Sequence, residues 1–278
     1  MAVASLTAQT FADWECVCVD DGSSDDTWAL LSAQATRDPR FVAHRFESNR
    51  GRGAARQFLL ERSRGEFLAF LDADDWMFPD RLERQLARLD EDPQLAAVGA
   101  PMVIFDEGDV AIGVAPATVR GPAGQSTGTF AEPHPPTLNF PASMMRIHFA
   151  REAGFDPAFF RGQDSDLLIR ALLGRRYSVL DQPAYAYRRA AMTLPKTLEG
   201  YRFRMKAHLR HVAQFPFVVG RTVSATAAKM TLYKLAGLVG LEDRLFERRY
   251  QPISDEERRR FEEALDAVRR VRVEQWPR

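Results

Sequence analysis

The strongest constraint on this chain comes from two short apolar runs that end in acid. Residues 14–21 read Trp-Glu-Cys-Val-Cys-Val-Asp-Asp, and residues 65–75 read Gly-Glu-Phe-Leu-Ala-Phe-Leu-Asp-Ala-Asp-Asp. Neither alternates apolar with polar side chains, so each predicts a strand buried on both faces, as parallel strands are. Further strands are expected at 41–46, 96–104 and 177–187. Between them the spacing predicts helices over 25–37, with Ser24 or Asp25 as N-cap, over 52–63 behind Gly51 and Gly53, and over 80–90 behind Pro79. Two more are expected at 149–154 and 164–174. Alternating strands and helices imply an α/β fold, a doubly wound and mostly parallel sheet with helices on both faces. Residues 106–141, rich in Gly, Pro and Thr, break the rhythm and predict loop or an irregular hairpin.

From residue 196 the character changes. Segments 199–213, 221–239 and 254–272 look helical and carry no strand signal, so the chain divides into a domain at 1–195 and a helical appendage at 196–278. The last of these helices is expected to be solvated or to contact another subunit. Charge follows the same division. The 278 residues hold 38 basic and 38 acidic side chains, a zero balance that argues against bulk electrostatic binding of nucleic acid. Residues 1–195 nevertheless carry 20 basic and 27 acidic groups, net −7, and residues 196–278 carry 18 and 11, net +7. Within 196–241 there are eight basic side chains and one acid, interleaved with Phe, Leu, Val and Tyr. That stretch has two readings: a helix packed on the acidic domain, or a basic amphipathic helix on an anionic membrane surface. No apolar run reaches the ~18 residues of a membrane span, and no signal peptide is evident. The only cysteines, Cys16 and Cys18, face one side of a strand and read as thiols of a reduced cytoplasmic protein.

In open α/β sheets ligands sit beyond the carboxyl ends of the strands, which is where Asp20, Asp21, Asp72, Asp74 and Asp75 fall. Five acids at one edge repel unless a cation lies among them. A hard divalent ion, Mn²⁺ or Mg²⁺, suits carboxylate ligands and brings phosphate with it. Taken singly, Asp-Gly-Ser-Ser at 21–24 is equally a turn with a helix cap, and Asp74-Asp75 a turn before a helix. Their recurrence at the ends of two buried strands favours a metal–nucleotide site.

Three blocks carry a resemblance: Gln9-Thr10 through Val19-Asp20-Asp21-Gly22-Ser23-Ser24, then Asn49-Arg-Gly51-Arg-Gly53-Ala-Ala-Arg56, then Gly65-Glu-Phe-Leu-Ala-Phe-Leu-Asp72-Ala-Asp74-Asp75. In order and spacing they resemble the family 2 glycosyltransferases of the GT-A fold. Gly154-Phe155-Asp156 and Gly162-Gln163-Asp164-Ser165-Asp166-Leu167 resemble that family's acceptor-side segment, and the similarity covers about residues 1–190. The resemblance implies inverting, metal-dependent transfer of a sugar from a nucleoside-diphosphate sugar to an acceptor hydroxyl in cell-surface glycan or polysaccharide synthesis; on the membrane reading of 196–241, the tail brings a cytoplasmic enzyme to lipid-linked acceptors at the inner face of the membrane. The resemblance further implies that Asp21, with Asp20 beside it, meets the base or ribose. Asp74, aided by Asp72, would hold the metal, and Asp164 would be the general base.

Asp166 competes with Asp164 for that last role, its other reading being a first-turn helix acid. Arg56 is expected either at the donor phosphates or paired with a carboxylate. Arg188 and Arg189 resemble a family position near the diphosphate, although the histidine that often follows is replaced by Ala190 and Ala191. Gln57 stands where the family usually has Asn. The resemblance also implies a first strand and helix ahead of Gln9, roughly 25 residues that this chain lacks; the expectation is a start assigned too far downstream, with weak donor binding in the shorter form. Two other functions compete: a catalytically silent nucleotide-sugar or glycan-binding protein, and a nucleotidyltransferase.

Overall fold

Both acid-ending runs form strands: Asp20 is the last paired residue of the first with Asp21 just beyond it, and Asp72, Asp74 and Asp75 follow the end of the second. The computed structural model describes residues 1–119, 126–189, 193–241, 245 and 250–271. Its first half contains α1 (Ala2–Thr7), β1 (Cys16–Asp20), α2 (Thr27–Arg37), β2 (Phe41–Arg45), α3 (Arg52–Arg62), β3 (Phe67–Ala69), β4 (Trp76–Met77), α4 (Arg81–Glu91), β5 (Leu95–Gly99), β6 (Met102–Phe105) and β7 (Ala111–Ala115). There follow β8 (Thr127–Thr129), β9 (Met144–Arg146), α5 (Ile147–Ala153), α6 (Gln163–Leu172), β10 (Arg176–Val179) and β11 (Tyr185–Arg188). The chain then turns helical with α7 (Leu194–Leu209), α8 (Pro216–Leu238) and α9 (Asp255–Arg270).

The strands pair as β1-β2, as β3-β9-β5-β10-β8 and as β4-β11-β6-β7. Parallel ladders join β1 to β2, β5 to β10 and β6 to β11. The other ladders among the described residues, β3–β9, β5–β9, β8–β10, β4–β11 and β6–β7, are antiparallel. The α/β arrangement holds, but the sheet is mixed where a mostly parallel one was expected. The reason lies in 106–146. That segment supplies β7, which turns straight back on β6 and so must run antiparallel, and also β8 and β9, whose ladders with β10, β3 and β5 are all antiparallel. The expected strand at 96–104 is likewise two strands, β5 and β6, in different sheets. Pro101 between them has no N–H to continue a ladder. Part of the expected loop, residues 120–125, lies outside the described residues, as do Ala190, Ala191 and residue 272.

Helices cover both faces of the five-stranded sheet. On one side Leu60 of α3, Ala150 of α5 and Leu167, Leu168 and Leu172 of α6 pack on Leu68 and Tyr177. On the other, Leu82 and Leu89 of α4 pack on Leu95, Val98 and Met144. The buried Gln9 locks α1 to α4: its Nε2 donates to Phe78 O at 2.8 Å and its Oε1 accepts Leu82 N–H at 3.1 Å, satisfying a donor in the first turn of α4. Cys16 and Cys18 do face one side of β1, half-buried, with Sγ atoms 3.4 Å apart.

The final helix is not a solvated one. Phe261, Ala264, Leu265 and Val268 of α9 are buried against Trp76, Phe105 and Ala111, and Gln251 bridges to Val114 in the four-stranded sheet. A Ser254–Glu257 capping box starts the helix, with Ser254 Oγ taking Glu257 N–H at 3.2 Å. The apolar stripe on α9 is short and embedded in Glu and Arg, which hides it from a composition-based reading. Phe261→Ala should therefore lower unfolding free energy by about 3–5 kcal/mol. Chemical denaturation measures it, and a solvated helix would give a change near zero.

Candidate active site

Asp20 ends β1 and Asp21 follows it, and the alternation of successive side chains sends the two into different surroundings. Asp20 is sealed: its Oδ1 accepts Ser23 N–H at 2.9 Å, and its Oδ2 lies 3.2 Å from Arg45 Nε with no side-chain surface exposed. Asp21 stays half-exposed. Its Oδ1 accepts Arg50 N–H at 2.7 Å and its Oδ2 accepts Gly51 N–H at 3.0 Å, which ties the end of β1 to the start of α3. Two glycines allow this approach. Gly22 has φ +76°, and a Cβ there would sit 2.8 Å from Asn49 N; Gly51, the N-cap of α3, has φ +85°.

From this anchor α3 reaches the remaining blocks. Arg56 puts its guanidinium 3.3 Å from the Asp72 carboxylate, with its Cζ 5.1 Å from the centre of the Phe140 ring. Gly53 abuts the start of α6, where a Cβ would lie 3.0 Å from Gln163 Nε2. Gln57 Oε1 accepts Phe155 N–H at 2.7 Å, so the glutamine departing from the family's usual Asn holds the Gly154-Phe155-Asp156 segment. The structure thus joins Asp21, Asp72 and the segments 154–156 and 162–167 to the first two turns of α3.

Asp164 stands in the first turn of α6, half-buried, its Oδ1 accepting its neighbour's Ser165 N–H at 2.8 Å. Asp166 is in a different position. It is 1 % exposed, lies 2.5 Å from Arg170 Nη2 and 3.4 Å from Arg210 Nη1, and so pins α6 to the end of α7. Its geometry is that of a packing ion pair.

The acid loop 72–75 is held by β11. Asp75 is buried; its Oδ2 accepts Tyr185 O–H at 2.8 Å and its Oδ1 accepts Arg188 N–H at 2.8 Å. The Tyr185 oxygen also accepts Asp72 N–H at 3.2 Å. Burial pushes the Asp75 carboxyl up to about 7; those two donors hold it down, while neighbouring Asp74 and Asp72 add to the rise. Arg188 Nε donates to Asp74 O at 3.1 Å, and its Nη2 lies 3.4 Å from Asp109 Oδ1. Asp109 in turn accepts Arg269 Nη2–H from α9 at 2.8 Å. Asp75, counted above among the metal-gathering acids, is an anchor with both oxygens occupied, whereas Asp74 is exposed and the Asp72 side chain 41 % exposed. Tyr185 was missed as a site residue. The available signal was a tyrosine inside an apolar strand, whose hydroxyl must find a partner when buried.

Among the described residues no three acid, histidine or cysteine side chains converge as a ready ligand set. Asp72 and Asp74 still suit Mg²⁺ or Mn²⁺: both are hard oxygen donors with accessible surface, and such ions bind through one or two carboxylates together with phosphate and water.

With this geometry in view, the comparisons decide the family. Residues 2–146 match the model of glycosyl transferase family 2. The chain belongs to that family. Its relatives include the succinoglycan biosynthesis protein ExoO of Rhizobium meliloti, 33 % identical over 196 residues that make up 67 % of this chain and 55 % of ExoO. ExoU of the same organism is 31 % identical over 66 % of this chain and 56 % of its own length. The chain thus spans about half the length of these two relatives. Among solved structures, S. aureus TarS 1–349 has a TM-score of 0.59 at 18 % identity, covering 96 % of this chain and 74 % of that one; TarS has also been solved with UDP-GlcNAc. The mannosyltransferase PcManGT from Pyrobaculum calidifontis, in complex with GDP-Man and Mn²⁺, has a TM-score of 0.56 at 16 % identity, covering 96 % and 82 %. At these identities the structures speak for fold alone, which is GT-A.

Tyr185→Phe leaves the ring in place and removes only the hydroxyl. Asp75 and Asp72 N–H then each lose a buried partner, and unfolding free energy should fall by about 1–3 kcal/mol. Denaturation of the two proteins side by side checks it.

Proposed function

We propose that this protein transfers a sugar, with inversion, from a nucleoside-diphosphate sugar to an acceptor hydroxyl in the synthesis of a cell-surface glycan or polysaccharide. The observation that carries the reading is the meeting, on the first two turns of α3, of the Asp21 turn, the Asp72 loop and the segment leading to Asp164. Support comes from ExoO and ExoU, which are succinoglycan biosynthesis proteins, and from TarS and PcManGT, solved with UDP-GlcNAc and with GDP-Man and Mn²⁺.

Asp21 takes the base or ribose of the donor, using the carboxylate lone pairs that Arg50 and Gly51 leave free. Asp20, sealed beneath it, fixes the turn. Arg56 holds Asp72 in place and brings a positive charge to the donor phosphates. Asp72 and Asp74 would hold Mn²⁺ or Mg²⁺, which would supply neutralising charge for the departing diphosphate. Asp164 accepts the proton of the acceptor hydroxyl as its oxygen bonds to the anomeric carbon. The bond from that carbon to the phosphate oxygen breaks in the same displacement, so the carbon inverts and the nucleoside diphosphate leaves with the electron pair. The reading extends to location: a cytoplasmic enzyme at the inner face of the membrane, with 196–241 toward the lipid and a lipid-linked or glycan acceptor.

A panel of nucleotide sugars with Mn²⁺ or Mg²⁺, scored for nucleoside diphosphate release, tests the reaction. Asp164→Asn should cut kcat by about 10²–10⁴-fold while donor affinity by calorimetry stays within a few fold. Asp74→Asn should abolish the gain in nucleoside diphosphate affinity that Mn²⁺ gives the wild type. Release of pyrophosphate would point to a nucleotidyltransferase. Binding without turnover of any donor would point to a silent binding protein.

A further inference from the structure

Helix α8 is 23 residues long, about 35 Å at 1.5 Å per residue, and contains no acid. Its inner face is settled: Val219, Thr226 and Tyr233 are buried, and the Tyr233 ring packs tilted against Tyr201 of α7 with ring centres 5.8 Å apart. Its outer face is also apolar. Phe217 is 91 % exposed, Leu238 82 %, and Leu232 and Leu235 more than half, with Val239 beside them. Among the described residues, eight of the eleven exposed large apolar side chains fall within 209–241. A helix apolar on both faces has one face more than α7 can cover.

The charge on this surface says what the other face fits. Residues 200–241 contain seven basic side chains and no acid; Arg210 is taken up by Asp156 and Asp166, whereas Arg221, Lys229 and Lys234 are exposed along α8 itself. Apolar groups flanked by cations alone match a bilayer surface rich in anionic headgroups, which takes the side chains into its acyl boundary and the cations at the phosphates. No described helix is long and apolar enough to cross a membrane, which leaves an in-plane position.

We propose that α8 lies in the plane of an anionic membrane and docks the protein there, with Phe217, Leu232, Leu235 and Leu238 inserted and Arg221, Lys229 and Lys234 at the headgroups. This deepens the membrane location proposed above by naming the face that makes it. It does not depend on the sugar-transfer reading, because vesicle binding and donor turnover are measured separately. Each cation near an anionic surface contributes about fivefold, and each exposed apolar group adds to that.

The experiment is co-sedimentation of the full chain with phosphatidylcholine vesicles, with and without roughly one third phosphatidylglycerol, at about 0.15 M and 1 M salt. Binding should require the anionic lipid and weaken at high salt. Replacing Arg221, Lys229 and Lys234 together by Gln should weaken it about a hundredfold. Leu232→Glu with Leu235→Glu, both at exposed positions, should abolish binding while the far-ultraviolet circular dichroism spectrum and donor turnover stay unchanged. Binding that ignores phosphatidylglycerol, or that survives the double glutamate substitution, overturns the proposal. A stable dimer in light scattering that the double substitution dissolves, with no vesicle binding by the wild type, overturns it in favour of a second copy of this chain.

Discussion

The carboxylate of Asp75 is the contact on which the rest of the site depends. It is buried, close to two other acids, and made tolerable there by one hydroxyl and one backbone N–H from β11. Because Tyr185 also takes Asp72 N–H, a single tyrosine oxygen fixes both ends of the four-residue loop. Arg81 supports the arrangement from below. Its fully buried guanidinium lies 5.0 Å from the centre of the Tyr185 ring and donates to the carbonyls of Phe70, Pro141 and Ser143, so β3, β11 and the segment before β9 share one cation. Burial pushes this arginine down to about 10, still charged at neutral pH.

Five acids at one sheet edge pose an electrostatic problem, and the protein resolves much of it without an added ion. Asp20 is neutralised by Arg45, Asp72 faces Arg56, and Asp75 has dipolar donors. The charge left exposed is concentrated on Asp74, with part of Asp72 and Asp21. Such separation makes a carboxylate available to a ligand without leaving the whole cluster in mutual repulsion.

Much of this was legible in the amino-acid sequence because it rests on local pattern. Unbroken apolar runs predicted β1 and β3, the glycines at 51 and 53 marked the turn into α3, and the helices at α2 through α6 lie within a few residues of expectation. What could not be read depends on contacts far apart in the chain. The two-residue β4 exists only because β11, more than a hundred positions later, pairs with it. The different fates of Asp164 and Asp166 follow from Arg170 and Arg210, the second of which lies beyond the next two strands and a helix. The stripe on α9 is visible only once Trp76 and Phe105 are seen to need a cover.

One contact chain joins regions that composition would separate. Arg269 near the end of α9 holds Asp109, Asp109 holds Arg188, and Arg188 donates to the backbone of Asp74. Asp109 does so from a left-handed backbone conformation, φ +58°, that its neighbours must maintain. The acidic α/β half and the basic helical half are therefore mechanically continuous at this point. The terminal helix is thus not isolated from the acid loop: an exchange at residue 269 reaches the backbone of Asp74 through two side chains, Asp109 and Arg188.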